Sequence, residues 1–531
     1  MVNRCPNCGG LLNYDIESGK LKCESCDSLL SAEEYADNTA AKEDYEALKY
    51  SVNVFTCPNC GGSISSNEAE AVEYCLYCGS FVSLTSQVEK VKKPNFILPF
   101  KTTKEECVKS YSKMIRKKIY APKAFRNEKF IDTFKGIYIP YWTYSYDFGP
   151  NVTLDGVTKK REGDYVYEHH YDIECQVDGH LDGVTFDASS SFDDDISSRI
   201  LPFNSRELKP FNNSYMFGFF ADTADIDSNL YRNDAKKTAR DEIWDEVTKD
   251  ERISSKNPRR PESDGKFDEM FGLKGSSNLS MLPVWFLTWR NKDRVAYSVV
   301  NGNTGAIYSE VPVDVKRYLL FSLLFAIPIF LLFNCLFTFT AKAMLITSVI
   351  LSLFMMILYS LQLDRIVRKR LHVDDKGYIN KHKESKEDAE KVTDNLVVEF
   401  VKAGWEMILA LGFGGIVLIA AIALSFPVLA IITGIASVLF VIIYSIVRIE
   451  KSGKILKDKT VILDILGSVF SLALSALLLI VNPAGDEFYY VAAMLCIGGV
   501  GLSAIFTMKR YNELVTRPLP HFFNRKSGGE E

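Results

Sequence analysis

Eight cysteines from Cys5 to Cys78 form four Cys-x-x-Cys pairs: Cys5/Cys8 and Cys23/Cys26, then Cys57/Cys60 and Cys75/Cys78. Fourteen residues separate the two pairs in each half. A tetrahedral zinc ion needs four soft ligands. A tight Cys-x-x-Cys turn aims two sulfurs inward, and a short hairpin returns the other two. The second set copies the first at a constant offset, down to the Cys-Pro-Asn-Cys-Gly-Gly opening at 5–10 and again at 57–62. The spacing predicts two zinc ribbons, one ion in each. Disulfide pairing is the competing reading; it fits regular ligand spacing less well and requires an oxidising compartment. Four paired motifs leave no lone reactive dithiol for a redox role.

These ligands need hairpins to hold them, and the rest of the chain divides around them. The expected order is a first ribbon at 1–30, a helical linker at 31–54, a second ribbon at 55–93 and an α+β domain at 94–316 with antiparallel sheet. In that domain a short strand is expected at 95–100 and a helix at 103–118. Strands follow at 136–146, 164–177 and 181–186, then a helix at 224–250 and a polar loop at 252–265. A three-strand meander through 282–289, 295–301 and 306–311 closes the domain, its second turn the Gly-Asn-Thr-Gly of 302–305.

Beyond residue 316 the 531-residue chain turns apolar in blocks. Six of them, at 318–339, 343–363, 405–425, 428–447, 461–481 and 489–508, reach the roughly 20 residues a helix needs to cross a bilayer. The expected layout is spans 1–2 within 317–363, a loop at 364–404, spans 3–4 within 405–447, a loop at 448–460, spans 5–6 within 461–508 and a tail at 509–531. Lys316, Arg317, Arg365, Arg368, Lys369, Arg370, Arg448, Lys451, Lys454, Lys457, Lys459, Lys509 and Arg510 cluster at alternate joints. The positive-inside rule places those joints, both termini and the α+β domain in the cytoplasm of a multi-pass cell-membrane protein. No apolar stretch follows a basic start at the N-terminus, so no cleavable signal is expected.

The spans hold few ionisable groups. Glu406 and Asp464 fall near cytoplasmic ends, where water is expected to reach them. Gly467, Ser471, Ser475 and the glycines of 498–501 suit close helix packing, within one chain or in a homo-oligomer, better than a substrate path. Cys335 and Cys496 read as packed thiols.

No catalytic constellation is recognisable in 94–316, and no enzyme activity is expected. His169, His170 and His180, with Asp172 or Cys175, could approach a metal, but adjacent histidines on a strand point to opposite faces. Asp193, Asp194 and Asp195 suit a helix start near Ile196. Nucleic acid is a poor partner. Residues 1–93 carry eight Lys or Arg against fourteen Asp or Glu, a balance of 8 − 14 = −6, and each Zn(Cys)4 centre adds about −2. Phosphate backbones are repelled by such a surface.

The twin Cys-Pro-Asn-Cys-Gly-Gly ribbons are followed by Leu98-Pro99-Phe100, Gly136-Ile137-Tyr138-Ile139-Pro140-Tyr141-Trp142, Tyr215-Met216-Phe217-Gly218-Phe219, Leu282-Pro283-Val284-Trp285 and Asn301-Gly302-Asn303-Thr304-Gly305. Over residues 1–340 this order resembles the bacterial TFIIB-type zinc-ribbon membrane proteins. The resemblance implies zinc on the eight cysteines, no catalytic residue, and a membrane scaffold that recruits phage-shock-type membrane-remodelling proteins to stressed envelopes. The six-span region departs from the simpler members. The functional expectation is a zinc-binding membrane adaptor for cytoplasmic protein partners. A transporter or channel component with a sensing domain is the alternative, ahead of a membrane-tethered nucleic-acid binder.

Overall fold

A computed structural model describes residues 3–39, 49–66, 75–81, 85–149, 151–336, 340–381 and 427–522. The chain forms two compact units. Unit 1 comprises Met1–Met114, Glu128–Ser309 and Leu519–Glu531; unit 2 comprises Ile115–Asn127 and Glu310–Pro518.

Unit 1 opens with a small antiparallel sheet of β1 (Leu12–Asp15), β2 (Lys20–Cys23) and β3 (Leu29–Leu30), followed by the helix Ala32–Thr39. The large sheet takes β4 (Lys49–Thr56), β5 (Ser63–Ser66), β6 (Thr85–Lys92), β7 (Phe96–Ile97) and the 14-residue β8 (Lys135–Phe148). After β8, the strands β9 (Asn151–Glu162) and β10 (Tyr165–Gln176) form a separate antiparallel hairpin. The large sheet resumes with β11 (Gly179–Asp187), β12 (Lys209–Pro210), β13 (Phe220–Ala221), β14 (Lys274–Asn291), β15 (Arg294–Asn301) and β16 (Ile307–Ser309).

The long pair β8 and β14 forms the spine, in antiparallel register with Ile139 opposite Leu282. Nine consecutive residues of β8, Gly136–Tyr144, are buried on both faces, as the run of aromatic and β-branched side chains demands of a central strand. The meander β14–β15–β16 pairs as expected. The helix Lys104–Lys117 lies in the stretch read as helical, and Asp193 caps Asp194–Arg199 by accepting from the Asp195 amide.

Three expectations change in unit 1. Strand β4 occupies the last part of the stretch expected to be a helical linker, because Val52 and Val54 alternate inward at the period of a strand. The second ribbon is not a module apart from the α+β domain. Strand β13 pairs with β5 on one side and β8 on the other, and the Ser65 hydroxyl donates to the Ala221 carbonyl at 3.0 Å. The helix expected over 224–250 begins at Arg232, and the polar stretch after it contains two short helices, Glu251–Ser254 and Asp264–Met270.

Unit 2 is helical. Among the described residues, three helices are long and apolar enough to cross a membrane: Val315–Phe333, Lys342–Arg370 and Asp486–Val515. Six such helices are not found among the described residues. The block at 405–425 lies outside the described residues, and the block at 428–447 falls within the helix Pro427–Leu456. The block at 461–481 is divided by a break at Asp464 and Ile465, which leaves the 16-residue helix Leu466–Val481. That helix packs on Asp486–Val515 through small residues. A Cβ on Gly467 would strike the Gly499 backbone, the Ser503 hydroxyl accepts from the Ser468 amide at 3.0 Å, and Ser475 and Cys496 lie 3.3 Å apart. Cys496 is buried and Cys335 is exposed.

Asp464 does not reach water. It is buried, accepting from the Arg510 Nε at 2.8 Å and the Tyr359 hydroxyl at 2.7 Å. Arg448 pairs with the buried Asp364, which also accepts from the Ser452 hydroxyl at 3.0 Å. Glu406 lies outside the described residues.

Candidate metal centres

Each Cys-x-x-Cys pair sits on the same backbone device. The amide of the leading cysteine donates to the carbonyl five residues on, at 2.7 Å for Cys5, 3.0 Å for Cys23, 2.9 Å for Cys57 and 2.9 Å for Cys75. Its carbonyl accepts from the residue after the second cysteine, at 2.8–3.0 Å in all four. That residue must be left-handed, and Gly9, Asp27, Gly61 and Gly79 have φ of 74°, 55°, 72° and 67°. Glycine supplies the conformation at three of them and aspartate, which tolerates it, at the fourth.

The turns bring Cys5, Cys8, Cys23 and Cys26 into one cluster and Cys57, Cys60, Cys75 and Cys78 into another, with all sulfurs of a cluster within 4.8 Å of one another. Cross pairs lie at 3.8 Å (Cys5–Cys26), 3.4 Å (Cys8–Cys23), 3.8 Å (Cys57–Cys78) and 3.7 Å (Cys60–Cys75). Four ligands about 2.3 Å from a tetrahedral zinc stand about 3.8 Å apart, so both clusters fit the ion. The sulfurs are too far apart for disulfides, whose bond is much shorter. Metal bound here would cross-link the two ends of each hairpin.

Outer hydrogen bonds repeat with the ligands. Asn7 donates to the Ser28 hydroxyl at 3.0 Å and Asn59 to Ser80 at 2.7 Å, while Ser28 and Ser80 stand 3.1 and 3.2 Å from Cys26 and Cys78. The Gly10 and Gly62 amides donate to Cys8 and Cys60 at 3.4 Å. Such contacts orient thiolates and delocalise their charge. The Ser28 hydroxyl and amide draw the Cys26 thiol down to about 6. Ser28 and Ser80 escape a search for ligand types, but the offset that superimposes the two sets of cysteines also aligns these serines.

The centres differ in what surrounds them. Cys8 and Cys26 are exposed, whereas all four cysteines of the second centre are buried. The residues inside the returning pair set the difference: Glu24-Ser25 in the first, Leu76-Tyr77 in the second. Leu76, Tyr77 and the second set of cysteines join one core with Ile137, Ile139, Phe286 and Tyr297. Thr288 donates to the Leu76 carbonyl, Tyr297 donates to the Tyr77 carbonyl at 2.7 Å, and the Tyr77 hydroxyl donates to Asp222 at 2.7 Å. The first ribbon rests on the 213–217 turn instead. The Tyr14 amide donates to the Phe217 carbonyl at 3.0 Å, its ring meets Tyr215 edge-on at 5.4 Å, and the Tyr215 hydroxyl donates to Glu33.

The histidines do not converge. His169 and His170 are consecutive exposed residues of β10, opposite Thr158 and Val157. His180 lies on β11 between Asp147 at 2.5 Å and Asp182 at 2.8 Å, and the Asp147 contact holds its pKa above the ordinary imidazole value. Among the described residues, the groups of three or more ligand atoms close enough for a metal are the two cysteine clusters.

The chain is 26% identical over 317 residues to an uncharacterized protein, YdjG, of Bacillus subtilis (strain 168), an alignment covering 59% of this chain and 90% of that one. No family profile matches the chain. No solved structure matches it.

Proposed function

We propose that the chain is a zinc-binding integral membrane adaptor, with the second ribbon building the soluble unit and the first presented to cytoplasmic protein partners. The observation that carries this reading is the asymmetry of two otherwise matching centres. The second ribbon buries all four of its cysteines in the core of the soluble unit, whereas the first keeps two of its ligands at the surface of a folded support. Its acidic surroundings favour a protein over nucleic acid. Phage-shock-type proteins acting in envelope stress or membrane maintenance are the partners this reading names. Full-length chain captured from detergent-solubilised membranes retains its cytoplasmic partners, and Cys5→Ser chain, still in the membrane fraction, loses them. Equal capture by both chains defeats the adaptor reading.

In this reading the apolar blocks make six crossings and both termini are cytoplasmic, because the basic joints alternate with joints almost free of positive charge. Reporters fused within 371–381 and 451–459 therefore read cytoplasmic and one within 482–488 reads external; a reversed pattern overturns the orientation. Ion pairing of Asp464 with Arg510 and of Asp364 with Arg448 supports helix packing at these positions over a path for ions.

A further inference from the structure

The second ribbon carries a small apolar seat that its twin lacks, and the chain's own tail fills it. Phe522 is buried, with its amide donating to the Cys60 carbonyl at 2.6 Å and its ring edge-on to Tyr77 at 5.2 Å. Leu519 packs on the same core and its amide donates to the Asp293 carbonyl at 3.1 Å. Pro520, between them, has no N–H to satisfy and restricts the segment to an extended form. Gly62 makes the seat possible: a Cβ there would meet Tyr77 at 2.7 Å and Phe522 at 3.2 Å. At the matching position of the first ribbon, Gly10 faces the side chain of Ser25, and no aromatic ring stands where Tyr77 does.

We infer that the second ribbon is a peptide-binding module whose ligand is the segment Leu519–Phe522, and that metal at Cys57, Cys60, Cys75 and Cys78 holds the seat open to it. The inference rests on the metal reading of that centre. The Cys60 carbonyl and the Tyr77 ring belong to the two turns that the ion ties together, so an empty centre frees both halves of the seat. The tail follows the apolar helix Asp486–Val515 in the chain. Its capture by the ribbon makes the attachment of that end of the chain depend on metal.

A chain ending at Pro518, purified in detergent with its metal content measured, tests this with a synthetic peptide of residues 517–525. The expected results are two zinc ions per chain, saturable binding of the peptide, binding at least about tenfold weaker for the Phe522→Ala peptide, as for a buried aromatic anchor, and none to the Cys57→Ser form. In the full chain, a chelator exposes the tail to protease. A zinc-loaded truncated chain that ignores the peptide, or binds both peptides equally, overturns the latch. Binding that persists in a chain shown to hold no zinc overturns the metal reading alone and leaves a metal-independent peptide seat.

Discussion

Cys57→Ser in the full chain removes one zinc ion and unfolds unit 1, whereas Cys5→Ser removes one ion and leaves the large sheet intact. The two substitutions are chemically identical and fall at matching positions of the repeat, so their difference isolates the surroundings. Structural zinc contributes an apparent ~10–16 kcal/mol to the fold of its module, comparable with the whole stability of a typical domain at about 5–15 kcal/mol. In the second ribbon that energy maintains Leu76 and Tyr77 against Phe286 and Tyr297, and losing it opens the core at the junction where β5 joins β13 within the sheet. In the first ribbon the loss is confined to β1–β3 and the contact of Tyr14 with Phe217. Metal content and near-ultraviolet circular dichroism of the two purified variants separate these outcomes. Equal loss of tertiary signal in both would show that the first centre also supports the sheet, and no loss in Cys57→Ser would show that the second does not.

That asymmetry is written in the sequence, though not in the motif. The ligands and their spacing disclose both centres, because coordination chemistry is local and needs a fixed turn. The burial of one and exposure of the other follows from Leu76-Tyr77 against Glu24-Ser25, the dipeptide inside the returning pair of two matching ligand sets. The joining of the second ribbon to the large sheet is not legible, since it depends on β13, a short strand whose partners β5 and β8 are distant in the chain and whose pairing no local pattern declares. Strand β9 escapes for a different reason. Val152 and Leu154 point inward, but Lys159–Glu162 are exposed on both faces, so the alternation that marks a half-buried strand is soon lost. The charges at the helix ends of unit 2 are visible as residue types. Their pairing is not, because Asp464 and Arg510 belong to different helical segments and meet only in the folded unit.

The same pairing gives the second large effect. Arg510→Met lowers the thermal midpoint of unit 2 in detergent by roughly 10 °C, taking about 3–5 kcal/mol for breaking a buried pair and about 2–4 °C per kcal/mol for a domain of this size. One guanidinium serves four acceptors: Asp464 and Asp458 at 2.8 Å, Thr460 at 2.9 Å and Glu513 at 3.0 Å. Removing it leaves the buried Asp464 with the Tyr359 hydroxyl as its remaining donor and takes the paired cation from Asp458, while Glu513 keeps Arg370. Lysine at 510 keeps the charge but not the planar fork, and falls between the two. The double variant Asp464→Asn/Arg510→Met recovers part of the loss, because most of the cost is the stranded charge on Asp464 and not the missing attraction. An Arg510→Met midpoint within about 2 °C of the parent, less than about 1 kcal/mol on that scale, would show that water already solvates Asp464 and that the cluster is a surface feature.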